Sequence, residues 1–319
     1  MRTTTLGPDG PEVGVVGLGC MGMSFSYDQA APRDEAELIS VIRQALDLGV
    51  TMVDTADVYG PYTNEELVGR ALTGGHRERA VLATKVGVLA RDGAVTGLDG
   101  RPEHIRRSID ESLGRLSTDH VDLYYLHRVD PEVPIEESVG ALAEAVAAGK
   151  ARAVGLSEVS VEQIKRAQSV HPVTAVQSEL SLWTRDWMTE VLPYSTEQGI
   201  AFLPYSPLGK GFLTGRFTSR DDLPQDDFRR GLARFQQDAL AINRAITDKV
   251  REIADRMRAT PAQVALAWVL AKGEYVVPIP GTKTPKYLHD NAGAADLELS
   301  PADLAELDAL PAPTGGRYY

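Results

Sequence analysis

Short apolar runs rich in β-branched residues alternate with amphipathic helical stretches along the whole chain. The runs lie near 15–19, 50–54, 80–85, 121–126, 151–156, 173–177, 200–205 and 275–279. Their length and near-continuous apolar character are those of parallel strands covered on both faces. The intervening stretches carry helical spacing: Leu38, Ile42 and Ala45 share a face, as do Ile105, Ile109, Leu113 and Leu116. Thr260-Pro261-Ala262-Gln263 supplies a cap, a first-turn proline and a partner three residues after the cap, and Ser300-Pro301-Ala302-Asp303 opens a last helix similarly. Strand–helix alternation of this length predicts an α/β fold, a closed (β/α)8 TIM barrel rather than an open sheet. Arg2 to Leu6, the turn Gly7-Pro8-Asp9-Gly10 and Val13 to Val16 add an N-terminal β-hairpin, and the stretch from Ser300 adds an extra C-terminal helix.

α/β barrels occupy up to about 250 residues as one domain. Residues 1–319 are therefore expected to form a single barrel domain, with long loops at about 86–101 and 206–238. Loops of that length are functional or disordered. The polar content of the second suggests weak packing and a lid.

Gly17-Leu18-Gly19-Cys20-Met21-Gly22 matches the G-x-G-x-x-G dinucleotide fingerprint. That fingerprint needs a helix beginning within the glycine turn, so that its N-terminus meets a pyrophosphate. Here Met23 to Arg33 intervenes, with Pro32 inside it, and Asp54 lies well beyond the usual ~20 residues from the turn. The glycines are better read as the end of the first barrel strand and its loop.

Polar residues stand where the runs end. Asp54 closes Val50 to Val53, Lys85 closes Val81 to Thr84, His127 closes Val121 to Leu126, and Tyr59 follows Asp54 in Asp54-Thr55-Ala56-Asp57-Val58-Tyr59-Gly60. Alone, Asp54 reads equally as a helix cap, Tyr59 as a core ring, Lys85 as a surface charge and His127 as a structural imidazole. Barrel geometry changes this, because parallel strand ends converge on one face. Together they can protonate a carbonyl oxygen: Tyr59 as acid, Lys85 favouring its phenolate, Asp54 holding the ammonium and His127 orienting the carbonyl.

Composition narrows the partners. The formal charge is −12, which disfavours nucleic acid and anionic membranes. Cys20 is the only cysteine, which excludes an internal disulfide and fits a reducing cytoplasm. Met1 to Leu6 carries no apolar signal core, and no run approaches the ~18 apolar residues of a membrane span. His76, His104, His120, His127, His171 and His289 show no ligand spacing, so no metal is expected. Oligomeric state is open, and a homo-oligomer is compatible with the sequence.

The motifs resemble those of the aldo-keto reductases. They are Gly49 to Gly60, Ala83-Thr84-Lys85, Tyr124-Tyr125-Leu126-His127, Gly155-Leu156-Ser157, Gln177-Ser178-Glu179, Tyr205-Ser206-Pro207-Leu208-Gly209 and Ile279-Pro280-Gly281-Thr282-Lys283, in order over about 13–310. Gly17 to Ser24 and His127-Arg128-Val129-Asp130-Pro131 look most like the bacterial and plant subgroup that includes perakine reductase. The resemblance implies a (β/α)8 barrel, the cofactor pair NADPH/NADP+, and reversible reduction of small-molecule aldehydes or ketones to alcohols. It implies Asp54, Tyr59, Lys85 and His127 as catalytic. Ser157 and Gln177 would hold the nicotinamide carboxamide and Tyr205 would stack on its ring. Ser206, Pro207, Leu208, Lys210 and Gly211 would line the pyrophosphate, and Gly281, Thr282, Lys283, Asp290 and Asn291 the adenosine end. Two positions depart from the family. Glu158 stands where asparagine is common, and is expected to favour the oxidised cofactor. Thr284 stands where arginine is common, and weakens the case for strict NADPH preference. The competing function, also found in this family, is a cofactor-sensing regulatory subunit with incidental turnover. Phe25, Tyr27, Tyr62 and Trp183 follow strands and are expected at the pocket mouth.

Overall fold

The computed structural model describes residues 1–25, 27, 34–91, 94–225 and 227–317. Thr3–Thr5 (β1) pairs antiparallel with Glu12–Gly14 (β2), the expected hairpin. Then come Leu18–Gly19 (β3), Met52–Asp54 (β4), Val81–Val86 (β5), Val88–Arg91 (β6), Ala94–Leu98 (β7), Val121–Leu126 (β8), Ala151–Ser157 (β9), Val173–Gln177 (β10) and Ala201–Phe202 (β11). Strands β3, β4, β5, β8, β9, β10 and β11 form one parallel sheet in that spatial order.

The eighth position is filled by residues 275–281, which bridge both edges of the sheet. Val277 N donates to Phe202 O and Ile279 N to Pro204 O on one side. On the other, Gly17 N donates to Pro278 O at 2.9 Å and Gly19 N to Pro280 O at 3.4 Å. Parallel bridges join Phe202 to Val276 and Gly19 to Gly281. Pro278 and Pro280 face β3 and have no N–H to donate, so this seam carries only half a ladder. The closure is nevertheless continuous, and the sheet curls into the expected barrel.

Helices alternate with the strands: Glu35–Asp47 (α1), Thr63–Ala71 (α2), Pro102–Leu116 (α3), Ile135–Ala147 (α4), Val161–Gln168 (α5), Val191–Glu197 (α6), Gln237–Met257 (α7), Pro261–Leu270 (α8), Pro285–Gly293 (α9) and Pro301–Asp308 (α10). Thr260 with Gln263 and Ser300 with Asp303 form the capping boxes read from sequence, and Ser160 with Gln163 forms a third. Among the described residues no helix is long and apolar enough to cross a membrane.

Met52, Ala83, Leu123, Tyr125, Ala175, Ala201, Leu203, Val277 and Ile279 fill the barrel, and Leu6 and Val13 of the hairpin pack against them. The hairpin plugs the end from which the strands start: Gly14 N donates to Thr51 Oγ1, just before β4.

The glycine fingerprint is structural. Only a three-residue 3-10 turn, Met21–Met23, follows it before the residues that are not described. A Cβ on Gly17 would lie 2.9 Å from Ile279 Cγ2, and one on Gly19 would lie 2.8 Å from Ile279 O. Glycine here lets β3 approach the closing strand.

Both long loops are more ordered than their composition suggested. The first contains the antiparallel pair β6–β7. The second folds into short 3-10 turns anchored by buried Phe212, Leu213, Phe217, Leu223, Leu232 and Phe235. Its polarity had suggested weak packing; its aromatic and leucine residues, spaced between the charges, decide otherwise. Arg229 forks onto Asp227 and donates to Lys210 O at 2.7 Å.

Candidate active site

A strand's side chains alternate, so residues two apart share a face. Met52 and Ala83 point into the barrel, and the next inward step from each is Asp54 and Lys85. The same step leads from Leu123 and Tyr125 to His127, from Ala153 and Gly155 to Ser157, from Ala175 to Gln177, and from Ala201 and Leu203 to Tyr205. The polar set is therefore the top layer of the same stack that fills the barrel with apolar side chains.

Lys85 Nζ sits at the centre of the candidate catalytic set. It donates to Asp54 Oδ1 at 2.5 Å and Thr55 O at 2.8 Å, and lies 3.4 Å from Tyr59 Oη. Lys85 is fully buried and Asp54 nearly so. Burial acts to lower the Lys85 pKa, but Asp54 and Tyr59 outweigh it and hold the ammonium above its ordinary value. The second Asp54 oxygen, Oδ2, accepts from Gln177 Nε2 at 2.8 Å. With a charge partner and this further bond, the buried carboxylate escapes most of the penalty of an isolated buried ion.

Tyr59 is held on the loop after β4 by Tyr59 N donating to Ala56 O at 3.2 Å, and Met21, Phe25, Val88 and Ala90 pack around that loop. The β6–β7 pair thus walls the site, where the sequence alone predicts a loop. Burial pushes the Tyr59 hydroxyl above its ordinary value, and Lys85 offsets only part of this. The ammonium favours the phenolate as expected, but desolvation of a buried phenolate outweighs it, so the net shift is upward. The ring meets His127 edge-on, with centroids 5.8 Å apart. Burial, then Lys85 and Arg128, push the His127 pKa well down, so the imidazole is neutral. Its Nδ1 is buried with no hydrogen-bond partner among the described residues.

The expected cofactor residues ring the adjoining strand ends. Ser157 Oγ accepts from Arg128 Nη1 at 2.9 Å, and the same nitrogen donates to His127 O. Arg128 thereby ties the ends of β8 and β9 together. Beyond Tyr205, Ser206 and Lys210 adopt left-handed backbone conformations at φ 48° and 55°, flanking Gly209 at 56° and Gly211 at 93°. Non-glycine residues rarely adopt this region and are found there at ligand clamps. Pro207 and Leu208 complete this turn, and Leu208 O accepts from Gly211 N at 3.0 Å.

After the closing strand come Gly281, Thr282 and Lys283, then α9. Thr284 caps this helix without a side-chain bond, and no acidic residue sits in its first turn. Its positive end is therefore uncompensated and suits a phosphate. Asn291 is buried on α9 and Asp290 half-buried beside it.

Sequence reasoning missed two residues here. Glu179 is the next inward step after Gln177, and its carboxylate holds Lys210 Nζ at 3.1 Å and Thr184 Oγ1 at 3.0 Å. The period-two pattern could have found it. Arg317 reaches Glu158, Glu179 and Tyr205, and nothing local in the sequence announces it. At the mouth, Phe25 lies 6.3 Å from the Tyr59 ring, Tyr27 meets Phe228 edge-on, and Tyr62 is half exposed. Trp183 is not there: it is buried and stacked on Phe212 at 4.1 Å.

A parallel barrel with a buried acid–base cluster at its C-terminal face defines an α/β-barrel enzyme. The aldo/keto reductase family model matches residues 15–312, and the chain belongs to that family. It is 46% identical to a Glycine max protein described as probable aldo-keto reductase 1, over all of this chain and 92% of that protein. Among solved structures it resembles a glycerol dehydrogenase from Gluconobacter oxydans, with TM-score 0.85, 29% identity, and coverage of 96% of this chain and 94% of that one. It also resembles an aldo/keto reductase from Klebsiella pneumoniae in complex with NADP and acetate, with TM-score 0.75, 27% identity, and coverage of 100% and 99%. Proteins of this family are NAD(P)H-dependent oxidoreductases acting on carbonyl and alcohol groups, and the cofactor is NADPH.

Proposed function

We propose that this protein reduces small aldehydes or ketones with NADPH, using Tyr59 as the proton donor, Lys85 and Asp54 as the pair that supports it, and His127 to orient the carbonyl. One observation carries the assignment: Lys85 Nζ lies between Asp54 Oδ1 at 2.5 Å and Tyr59 Oη at 3.4 Å. The bound cofactor supplies the hydride. Tyr59 stays protonated at neutral pH because burial raises its pKa, so a proton is available at Oη. As the carbonyl oxygen gains charge, Tyr59 releases that proton, and the adjacent ammonium stabilises the phenolate left behind. Asp54 and Thr55 O fix the ammonium in place. His127, being neutral, directs an N–H at the substrate oxygen without adding a buried charge.

Ser157, Gln177 and Tyr205 are the residues we assign to the nicotinamide, the turn Ser206 to Gly211 to the pyrophosphate, and Gly281, Thr282, Lys283, Asp290 and Asn291 to the adenosine end. The left-handed residues of the turn and the uncapped α9 support this assignment. Phe25, Tyr27 and Tyr62 near the mouth favour apolar or aromatic carbonyl compounds. The motifs at Gly17 to Ser24 and His127 to Pro131 favour the subgroup that includes perakine reductase, and residues 1–319 are read as one functional barrel domain working in the cytoplasm. Neither the fold nor the relatives described above support the regulatory alternative.

Tyr59→Phe should lower turnover by about 10²–10⁴-fold while leaving NADPH affinity near that of the unaltered protein. Steady-state NADPH oxidation across aromatic aldehydes, ketones and pyridoxal-type compounds, with parallel cofactor titration, tests both. Turnover close to the unaltered rate in the variant would remove Tyr59 from this role.

A further inference from the structure

Next to Tyr205 lies a charge cluster that the proposed chemistry does not use. The chain after α10 runs back across the barrel mouth under tight control. Thr314 N donates to Asn243 Oδ1 at 2.7 Å, and Asn243 Nδ2 donates to Thr314 O at 3.0 Å, clamping the backbone to α7. Gly315 turns at φ +97°, with its carbonyl held by Arg234 Nε at 3.2 Å. Arg317 then enters the site. Its Nη2 donates to Glu158 Oε1 at 2.6 Å and Tyr205 Oη at 2.7 Å, and its Nε donates to Glu179 Oε2 at 2.8 Å. One guanidinium ties together the ends of β9, β10 and β11.

We propose that Arg317 is a positioning residue for the cofactor: it fixes the Tyr205 ring and cancels the charge of Glu158, and so sets the balance of affinity between NADP+ and NADPH. This rests on the assignment of Tyr205 and Ser157 to the nicotinamide. Among the described residues, two carboxylates, Glu158 and Glu179, face two cations, Lys210 and Arg317, in this cluster. Glu158 also accepts from Glu179 N at 2.9 Å, so its carboxylate is fixed and cannot swing to solvent without breaking two bonds. The oxidised nicotinamide ring is positive and the reduced ring is neutral. An uncompensated carboxylate beside it stabilises the oxidised form alone. Glu158 by itself would impose that bias; paired to Arg317, it does not.

Arg317 supplies charge and shape separately, and substitution can divide them. Arg317→Ala exposes the carboxylates, and should tighten NADP+ relative to NADPH by about tenfold or more, because at an effective dielectric near 20 one uncompensated unit charge contributes that much at about 12 Å and more when closer. Adding Glu158→Gln to that variant should return the ratio toward its original value. Arg317→Lys keeps the charge but not the planar three-way fork, and should weaken both cofactors by a similar factor with the ratio held. Dissociation constants for both cofactors, measured by fluorescence titration without substrate, read all three effects, and thermal melts confirm that each variant is folded. A merely structural Arg317 would shift both constants together in Arg317→Ala, and that parallel shift, or an unmoved ratio, overturns the inference. Tyr205→Ala separates this from the underlying assignment: NADPH binding unchanged in that variant would overturn the nicotinamide assignment itself.

Discussion

His127 is buried as a neutral imidazole, and this has a cost that depends on pH. In the unfolded chain its pKa is about 6.5, whereas burial, Lys85 and Arg128 depress it well below that value in the folded protein. As pH falls below about 6.5, the unfolded chain takes up a proton that the folded protein refuses, so stability declines by up to about 1.4 kcal/mol per pH unit. Half-buried His104 is shifted in the same direction by burial and contributes to the same slope. His127→Asn should therefore flatten, though not abolish, the loss of stability between about pH 6.5 and 5. Urea denaturation across that range checks it. An acid slope as steep as in the unaltered protein would show that His127 is not the group responsible. Lys85 has the opposite character: Asp54 and Tyr59 hold its ammonium above the ordinary value, so across this acid range its role is fixed by geometry rather than by titration.

Among the elements, α9 carries the clearest invitation to an anion. Its first turn has neither a side-chain cap nor an acidic residue; Lys283 precedes it and Lys286 lies within it. Only NADPH carries the extra phosphate, and a charge-assisted bond to such a group contributes about 1.5–3 kcal/mol. Lys283→Ala should weaken NADPH by roughly tenfold or more and leave NADH nearly untouched. Because Thr284 stands where an arginine is common, the preference for NADPH in the unaltered protein should be modest. Titration of both proteins with both cofactors tests this, and equal losses for the two cofactors would remove Lys283 from the phosphate. The segment from Ser206 to Asp238 has a different logic. Its buried Phe212, Phe217 and Phe235 seat it on the barrel and anchor the left-handed turn at Ser206 to Gly211.

For the molecule as a whole, the site depends on the layers beneath it. Tyr125 is the largest side chain inside the barrel, and it fits because Gly155 on the neighbouring strand has no side chain. A Cβ at Gly155 would lie 2.3 Å from Tyr125 Cε1. Gly155→Ala must displace that ring, which stands directly below His127 in the stack, and should cost about 1–3 kcal/mol of stability. It should lower turnover as well, because a shifted Tyr125 disturbs the layer that carries Lys85 and His127. Denaturant unfolding and steady-state rates together check the coupling; unchanged stability would mean that the barrel absorbs the methyl group without moving Tyr125.

The sequence by itself determined the barrel and most of its upper rim. Strand and helix periods are local properties, readable over a few residues, and a polar residue ending an apolar run such as Val81 to Thr84 marks a strand end in any parallel barrel. Asp54, Lys85 and His127 were legible for that reason, whereas Ser157 and Gln177 came from the resemblance of their motifs. Glu179 was within reach of the same period but was passed over. Other features belong to tertiary structure alone. The closing strand was expected, yet the half-ladder that Pro278 and Pro280 leave against β3 appears only when Gly17 and Gly19 are seen beside them. The net rise in the Tyr59 pKa depends on how much solvent the β6–β7 wall excludes, which no spacing encodes. Arg317 joins Glu158 across 159 residues of chain and Glu179 across 138. A charge–charge contact depends on a distance in space, and at such separations the sequence carries no measure of that distance until the barrel has closed and the chain after α10 has crossed its mouth.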